Sequence, residues 1–393
     1  MTGFLLPLIV TLAVQVQASM VVFTPPVLAP LAQADVGVNA AAVGIVTALI
    51  YLSSVPAALL SGHVLEHVGP IRVSQLCLLF SSTGMAMMAV PNPWVIALGA
   101  LVVGVGYGAV TPASSTVLAD RVPDGLRSFI FSLKQSGVPI GGALAGAVVP
   151  VLMALAGWQR AAVAVAAVGL LVAFASQAVQ RGVDRANPPR RRSHGTHLLE
   201  PLTMVMSHPR LRELALSSFT FSGMQMCLGS YLVVALTERA SFSVTAAGAA
   251  LSIAMVGGAV GRLLWGALAD RLMAPRAMLG GLGVLMSGSA FLMALVSAAW
   301  AAPAVYLLAL VFGASAVGWN GVYLAEVARI AAPGRAGAAT GASLAMTYSG
   351  VVVLPSLFWL THALTDSYAP PFMVIGLLTL WRAVLFFRAQ RQY

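Results

Sequence analysis

Residues 261–276 read GRLLWGALADRLMAPR. The stretch closes one apolar run, turns on charge and opens another. Gly266 has no side chain to hold two helices apart. Asp270 stands where a helix of that run ends, and Arg271 and Arg276 follow. An acid at a helix end pairs with arginines or caps the amide end of a neighbouring helix. The arrangement recurs earlier in the chain. SGHVLEHVGPIR (61–72) keeps Gly62, Gly69 and Arg72, with Glu66 for the acid and His67 where the arginine stands. A shift of 204 carries Gly44 to Gly248, Gly62 to Gly266, Glu66 to Asp270 and Arg72 to Arg276. Upstream the match needs a gap. Duplication of a half-chain, with sites between the halves, is how many secondary transporters are built.

The 393 residues are 59% hydrophobic and 8% charged, where ordinary soluble chains are about 25% charged. Apolar runs of about 20 residues recur from end to end, each long enough to cross a bilayer. The chain reads as an all-α membrane protein whose main partner is the lipid bilayer. Its net charge of +10 does not point to nucleic acid, because basic residues of membrane proteins collect in cytoplasmic loops. Cys77 and Cys227 fall inside apolar runs and read as packing residues. No Lys or Arg precedes the first run, so it reads as a spanning helix and not as a cleaved signal peptide.

Twelve spans are expected, at 4–32, 39–61, 72–90, 94–118, 126–154, 159–179, 211–237, 245–266, 277–298, 303–327, 337–362 and 370–388. Most connections are short. One, 181–210, is polar, proline-bearing and basic, with Arg190, Arg191 and Arg192 as a topology signal or a contact for anionic headgroups. It divides the chain into two six-helix bundles, 1–180 and 211–393. Sixteen arginines fall in the loops after the even-numbered spans and in the C-terminus, against Arg160 and Arg239 on the other side. That asymmetry places both termini in the cytoplasm, and an inner-membrane location is expected.

Gly266, Leu268, Ala269, Asp270, Arg271 and Arg276 follow the pattern Gly-x-Leu-Ala-Asp-Arg with a basic residue a few positions on. This resembles the signature loop of the major facilitator superfamily, and with the spans, the central basic loop and the half repeat the resemblance covers essentially the whole chain. It implies a two-bundle secondary transporter. It further implies a conformational latch formed by Gly62, Glu66, Arg72, Gly266, Asp270, Arg271 and Arg276. Spans 1, 4, 7 and 10 would line a central cavity, with 3, 6, 9 and 12 facing outward. The polar residues agree: Gln15, Gln17, Ser19 and Thr24; Tyr107, Thr111, Ser114 and Ser115; Ser218, Ser222, Gln225 and Ser230; Ser315, Trp319, Asn320 and Tyr323. Spans 6, 9 and 12 are almost purely apolar, whereas span 3 fits less well, with Ser74, Gln75, Ser81, Ser82 and Thr83.

The chain has a single lysine, Lys134, in FSLKQSGVPIGGALAGAVVP (131–150). It lies seven residues beyond Arg127, roughly 10 Å along a helix and so inside the hydrocarbon. A central Lys costs on the order of 2.5–3.5 kcal/mol to insert. Three readings stay open: it snorkels to the headgroups, pairs with an acid such as Glu326 or Asp120, or faces the cavity and attracts an anion. The third makes Lys134, Gln135, Gln17, Tyr107, Gln225, Trp319, Asn320 and Tyr323 the candidate substrate-binding set. Trp319 and Tyr323 share a helix face, either as a substrate wall or as packing aromatics. Gln17 and Gln225 bind substrate or join helices. Pro139 permits a bend, and LKQSGVPIGG is similar to span 5 of cyanate-permease-like and related bacterial anion-type members.

The expected function is secondary transport of a small organic or inorganic anion by a monomer, with or without a coupling proton, and with no cofactor, metal or catalytic residue. The alternative is a proton-coupled multidrug exporter, supported by a partial span-5 Gly-Pro/Gly-Gly motif in which Val138 separates Gly137 from Pro139. A third reading, a membrane zinc enzyme, rests only on the His-x-x-Glu-His string at 63–67. No phosphate-binding Gly-x-x-x-x-Gly-Lys-Ser/Thr loop occurs. Coupling candidates are Lys134, Glu326 and Arg382.

Overall fold

A computed structural model describes residues 4–37, 43–186 and 199–390. The arginines at 190–192 and 391, and His194 and His197, lie outside the described residues. The described chain is helical throughout its elements: α1 Leu5–Val36, α2 Val43–Val68, α3 Pro70–Met87, α4 Pro93–Ala119, α5 Arg127–Gln135, α6 Gly137–Ala156, α7 Trp158–Ala175, α8 Gln177–Ala186, α9 Glu200–Ser207, α10 Pro209–Ala240, α11 Val244–Arg271, α12 Pro275–Leu295, α13 Ala302–Ala316, α14 Asn320–Ile330, α15 Ala336–Thr365 and α16 Ala369–Gln390. Eleven stretches among the described residues are long and apolar enough to cross a membrane.

Three differences from the sequence reading have local causes. The expected span 5 is two helices, α5 and α6, interrupted at Ser136. Pro139 supplies no amide to the Gln135 carbonyl, and its ring crowds that oxygen. The expected span 10 is likewise α13 and α14, interrupted over 317–319. The third concerns α3, which has 18 residues and is not among the eleven. Ser74, Gln75, Ser81, Ser82 and Thr83 dilute its apolar character, and Ser74, Ser81 and Ser82 are buried. Within the basic linker, 181–186 is helical as part of α8 and 200–207 as α9. Val179 and Val183 of α8, one turn apart, bury themselves on Ile71 and Val117.

The chain forms two compact units. One contains residues 1–122, 134–208 and 327–345; the other contains 123–133, 209–326 and 346–393. The chain thus changes unit inside α5, α14 and α15. In the first unit α4 packs on α2 and α3, α6 on α1, and α7 on α3; in the second α13 packs on α11 and α16 on α12. The sequence repeat reappears in the packing. A Cβ on Gly104 would stand 2.0 Å from the Ile50 carbonyl oxygen, and one on Gly313 would stand 1.9 Å from the Ala254 carbonyl oxygen. The shift that pairs the two halves carries Ile50 onto Ala254. At both crossings backbone touches backbone, and only glycine fits.

Many polar residues of the spans are buried, among them Gln15, Gln17, Thr111, Ser114, Ser218 and Ser315, while α7, α12 and α16 expose large apolar side chains, among them Leu171, Phe174, Leu292, Leu295, Leu377 and Trp381. An aqueous monomer does not carry such a belt; a lipid-facing surface does. Cys77 and Cys227 are buried free thiols.

Helix starts are fixed by side chains. The Asn92 side chain accepts from the amides of Trp94 and Val95 at 2.9 and 3.2 Å to start α4. α3 starts differently. Gly69, at φ +91, turns the chain, Pro70 takes the first helical position, and Asp184 of α8 accepts from the amides of Ile71 (2.9 Å) and Arg72 (3.2 Å). A Cβ on Gly69 would meet the Asp184 carboxyl carbon at 2.8 Å.

Replacing Gly104 or Gly313 by valine is expected to cost about 3 kcal/mol or more. Size-exclusion chromatography in detergent should show loss of the monodisperse species for either variant. Gly146→Ala, which meets open space, should leave the profile unchanged.

Candidate functional site

The interruption at Ser136 ends α5 on Lys134 and Gln135 and turns α6 onto α1. The approach is close: a Cβ on Gly141 would lie 2.3 Å from the Val16 carbonyl oxygen, and one on Gly137 would lie 3.0 Å from Cβ of Gln15. Lys134 is 1% exposed. Its Nζ donates to Gln15 Oε1 at 2.6 Å, to Gln135 Oε1 at 3.0 Å and to Thr111 Oγ1 at 3.3 Å. Thr111 in turn donates to Gln15 Oε1 at 3.1 Å, and Gln15 Nε2 donates to Ser19 Oγ at 3.1 Å. An ammonium has three donors, and all three end on neutral oxygens. The carbonyl end of α5 adds a favourable dipole. No carboxylate is among the acceptors, although buried charges are ordinarily paired. Lys134 therefore neither reaches outward along its helix nor forms the acid pair that the sequence left open.

One turn before Thr111 on α4 stands Tyr107, edge-on to Tyr51 of α2 with ring centroids 6.2 Å apart. Gln17 is not part of this cluster. Two residues past Gln15, it points elsewhere on α1 and donates to the Val165 carbonyl of α7 at 2.9 Å, so it joins helices.

In the second unit Asn320 Nδ2 donates to Gln225 Oε1 at 3.2 Å. Trp319 and Tyr323 stack edge to face at 5.1 Å, and Trp319 does the same with Phe221 at 5.5 Å. Trp319 is wholly buried and Tyr323 nearly so, which places both in the packing of this unit, while Gln225 and Asn320 stay half-buried. The interruption between α13 and α14 frees backbone carbonyls. Arg262 Nε donates to Val317 O at 2.9 Å, and Trp265 Nε1 to Ala314 O at 2.8 Å. Arg382 holds α16 to α10 through the Glu213 carbonyl at 3.0 Å and Ser217 Oγ at 3.4 Å.

The signature loop does one clear thing. Asp270 caps α5, its two carboxylate oxygens accepting from the amides of Ser128 (3.0 Å) and Phe129 (2.8 Å). Gly266 makes room, since a Cβ there would meet Ser132 Oγ at 2.5 Å. Gly62 in the first unit is used the same way, 2.6 Å from Cβ of Ala338 for an added Cβ. Arg276 pairs with Glu213 and not with Asp270. Arg271 is exposed, and among the described residues neither it nor Glu66 makes a side-chain bond. Arg72 reaches Gln75 at 3.3 Å, and its amide goes to Asp184. His67 Nδ1 faces the His63 carbonyl at 2.7 Å, within one turn of α2.

Gln15, Ser19 and Thr111 were read from the sequence as polar residues of spans 1 and 4 but not as members of the binding set, and Asp184 and Glu213 were not singled out at all. For the first group a signal existed: Thr11, Gln15 and Ser19 recur every four residues and form one polar stripe on α1.

A sequence profile of the Major Facilitator Superfamily matches residues 9–355. The chain belongs to the Major Facilitator Superfamily. It is a multi-pass membrane protein. The superfamily fold extends over the chain: the structure of the E. coli fucose:proton symporter FucP superposes with a TM-score of 0.77 at 13% identity, covering 98% of each chain. Among curated superfamily-like sequences, a probable sulfoacetate transporter of Cupriavidus necator is 25% identical over 258 residues, 63% of this chain and 60% of that protein. A gentisate transporter of Corynebacterium glutamicum is 29% identical over 108 residues, 27% of this chain and 24% of that protein. This superfamily member thus spans less than two thirds of the length of those relatives.

Asp270→Ala should remove the cap of α5 and cost about 1–2 kcal/mol, read as a lower midpoint in thermal unfolding of the detergent-solubilised protein. Arg271→Ala should leave the midpoint where it is. Equal effects from the two would show that the loop acts through charge and not through the cap.

Proposed function

We propose that this protein is a twelve-span secondary transporter that carries a small organic or inorganic anion across the inner membrane by alternating access, with both termini cytoplasmic. The observation that carries the reading is Lys134: a buried ammonium held only by amide and hydroxyl oxygens. Such a centre attracts a carboxylate or sulfonate far more strongly than it would in water. The relatives named for sulfoacetate and gentisate carry anions of those kinds, which supports the same substrate class here.

α3 serves as the twelfth span. Its 18 residues reach about 27 Å at 1.5 Å per residue, close to the hydrocarbon thickness of about 30 Å. Three of its polar side chains, Ser74, Ser81 and Ser82, are tolerated because they are buried. Orientation rests on the arginine asymmetry of the loops. Alternating access rests on the duplicated halves, and the Asp270 cap with the close contact at Gly266 serves as the latch. Tyr107 and Gln135, of the same unit as Lys134, are the further residues proposed to meet the solute.

The test is uptake of radiolabelled gentisate and sulfoacetate into proteoliposomes. Lys134→Ala should lower the initial rate at least about tenfold, and Lys134→Arg should keep part of it. An unchanged rate in Lys134→Ala removes the anion reading. Extrusion of lipophilic cations that does not depend on Lys134 would replace it with drug export.

A further inference from the structure

The three acceptors around Lys134 supply partial negative charge but no formal charge. We infer that the anion itself is the counter-ion of Lys134 during the crossing step, so that the protein works as an anion exchanger whose return without anion is slow. The inference rests on the anion reading above.

The argument is electrostatic. An ammonium removed from water is costly unless a charge neutralises it. Dipoles of two amides and a hydroxyl lower that cost without cancelling the charge. A bound monoanion cancels it. The loaded site then crosses as a near-neutral pair, and the anion-free site crosses as a lone cation. A transport cycle that delivers net anion must include the second crossing or a return after Lys134 has released its proton; exchange of one anion for another needs neither.

The cage has the features that exchange requires. Every acceptor is a side-chain atom, so each can rotate away when an anionic oxygen arrives. The longest bond, 3.3 Å to Thr111 Oγ1, is the one the anion displaces. Thr111 loses little by this, since its hydroxyl keeps Gln15 Oε1 at 3.1 Å. Gln15 stays on the ammonium at 2.6 Å and is anchored through Ser19.

Proteoliposomes holding the wild-type protein are assayed with radiolabelled gentisate outside, or with sulfoacetate if that is the anion carried. One set is loaded with the same unlabelled anion and the other is not. Entry into loaded vesicles should be at least about tenfold faster. Lys134→Gln, which removes the charge and keeps a hydrogen-bonding side chain, should bring the two rates together in whatever uptake it retains. Equal wild-type rates in the two sets overturn the exchanger and leave the anion transporter standing. No entry in either set removes the anion reading, and the exchanger with it.

Discussion

A single ammonium held out of water by oxygens that carry no formal charge governs the first unit. Its position is set by an interrupted helix: Pro139, Gly137 and Gly141 of α6 end α5 on Lys134 and press the next turn against α1. Without the interruption Lys134 would continue on a straight helix surface, where snorkelling to the headgroups is the ordinary outcome for a long cationic side chain. With it, the side chain meets Gln15 and Thr111, each fixed by further bonds.

The helix ends follow a second common rule. A carboxylate from a different helix satisfies the two free amides at the start of α3 and of α5: Asp184 for the first, Asp270 for the second. Such a cap ties two helices together at an end whose first amides have no partner within their own helix. The two halves of the sequence do not use it symmetrically. Glu66 is the repeat partner of Asp270 but makes no such bond, and the arginine that aligns with Arg72, Arg276, turns instead to Glu213. Duplication preserved the residues of the loop more faithfully than it preserved their contacts.

How much was legible in the sequence depended on whether the signal was periodic or pairwise. Span positions, the glycine contacts and the apolar faces of α7, α12 and α16 come from local composition, and composition is what a sequence displays. The interruptions of α5/α6 and α13/α14 were only half legible: Pro139 announced the first, whereas nothing local announces the second. The candidate site depended on rotational register. Gln15 and Gln17 look interchangeable in a list of polar residues, yet they sit about 200° apart around the helix. Gln15 meets Lys134 and Gln17 holds Val165 of α7. The stripe Thr11–Gln15–Ser19 distinguishes them, and the spacing alone would have chosen correctly. Asp184 and Glu213 could not have been found that way, because their partners are distant backbone and side-chain groups.

Comparison of the buried cations gives the assignment of Lys134 its force. Arg262 Nε donates to a backbone carbonyl that the break at 317–319 set free, and Arg382 reaches the Glu213 carbonyl as well as Ser217 Oγ. A backbone carbonyl inside a packed span does not move aside, so those donors close gaps in the fold. The donors of Lys134 end on side-chain oxygens alone, each able to change rotamer at small cost. The first arrangement is how a protein repairs its own backbone; the second leaves a charge that can change partners. Hydrophobic burial would have been served equally well by a leucine at this position, and at far lower desolvation cost. On the proposed reading, a lysine there serves a partner that comes and goes.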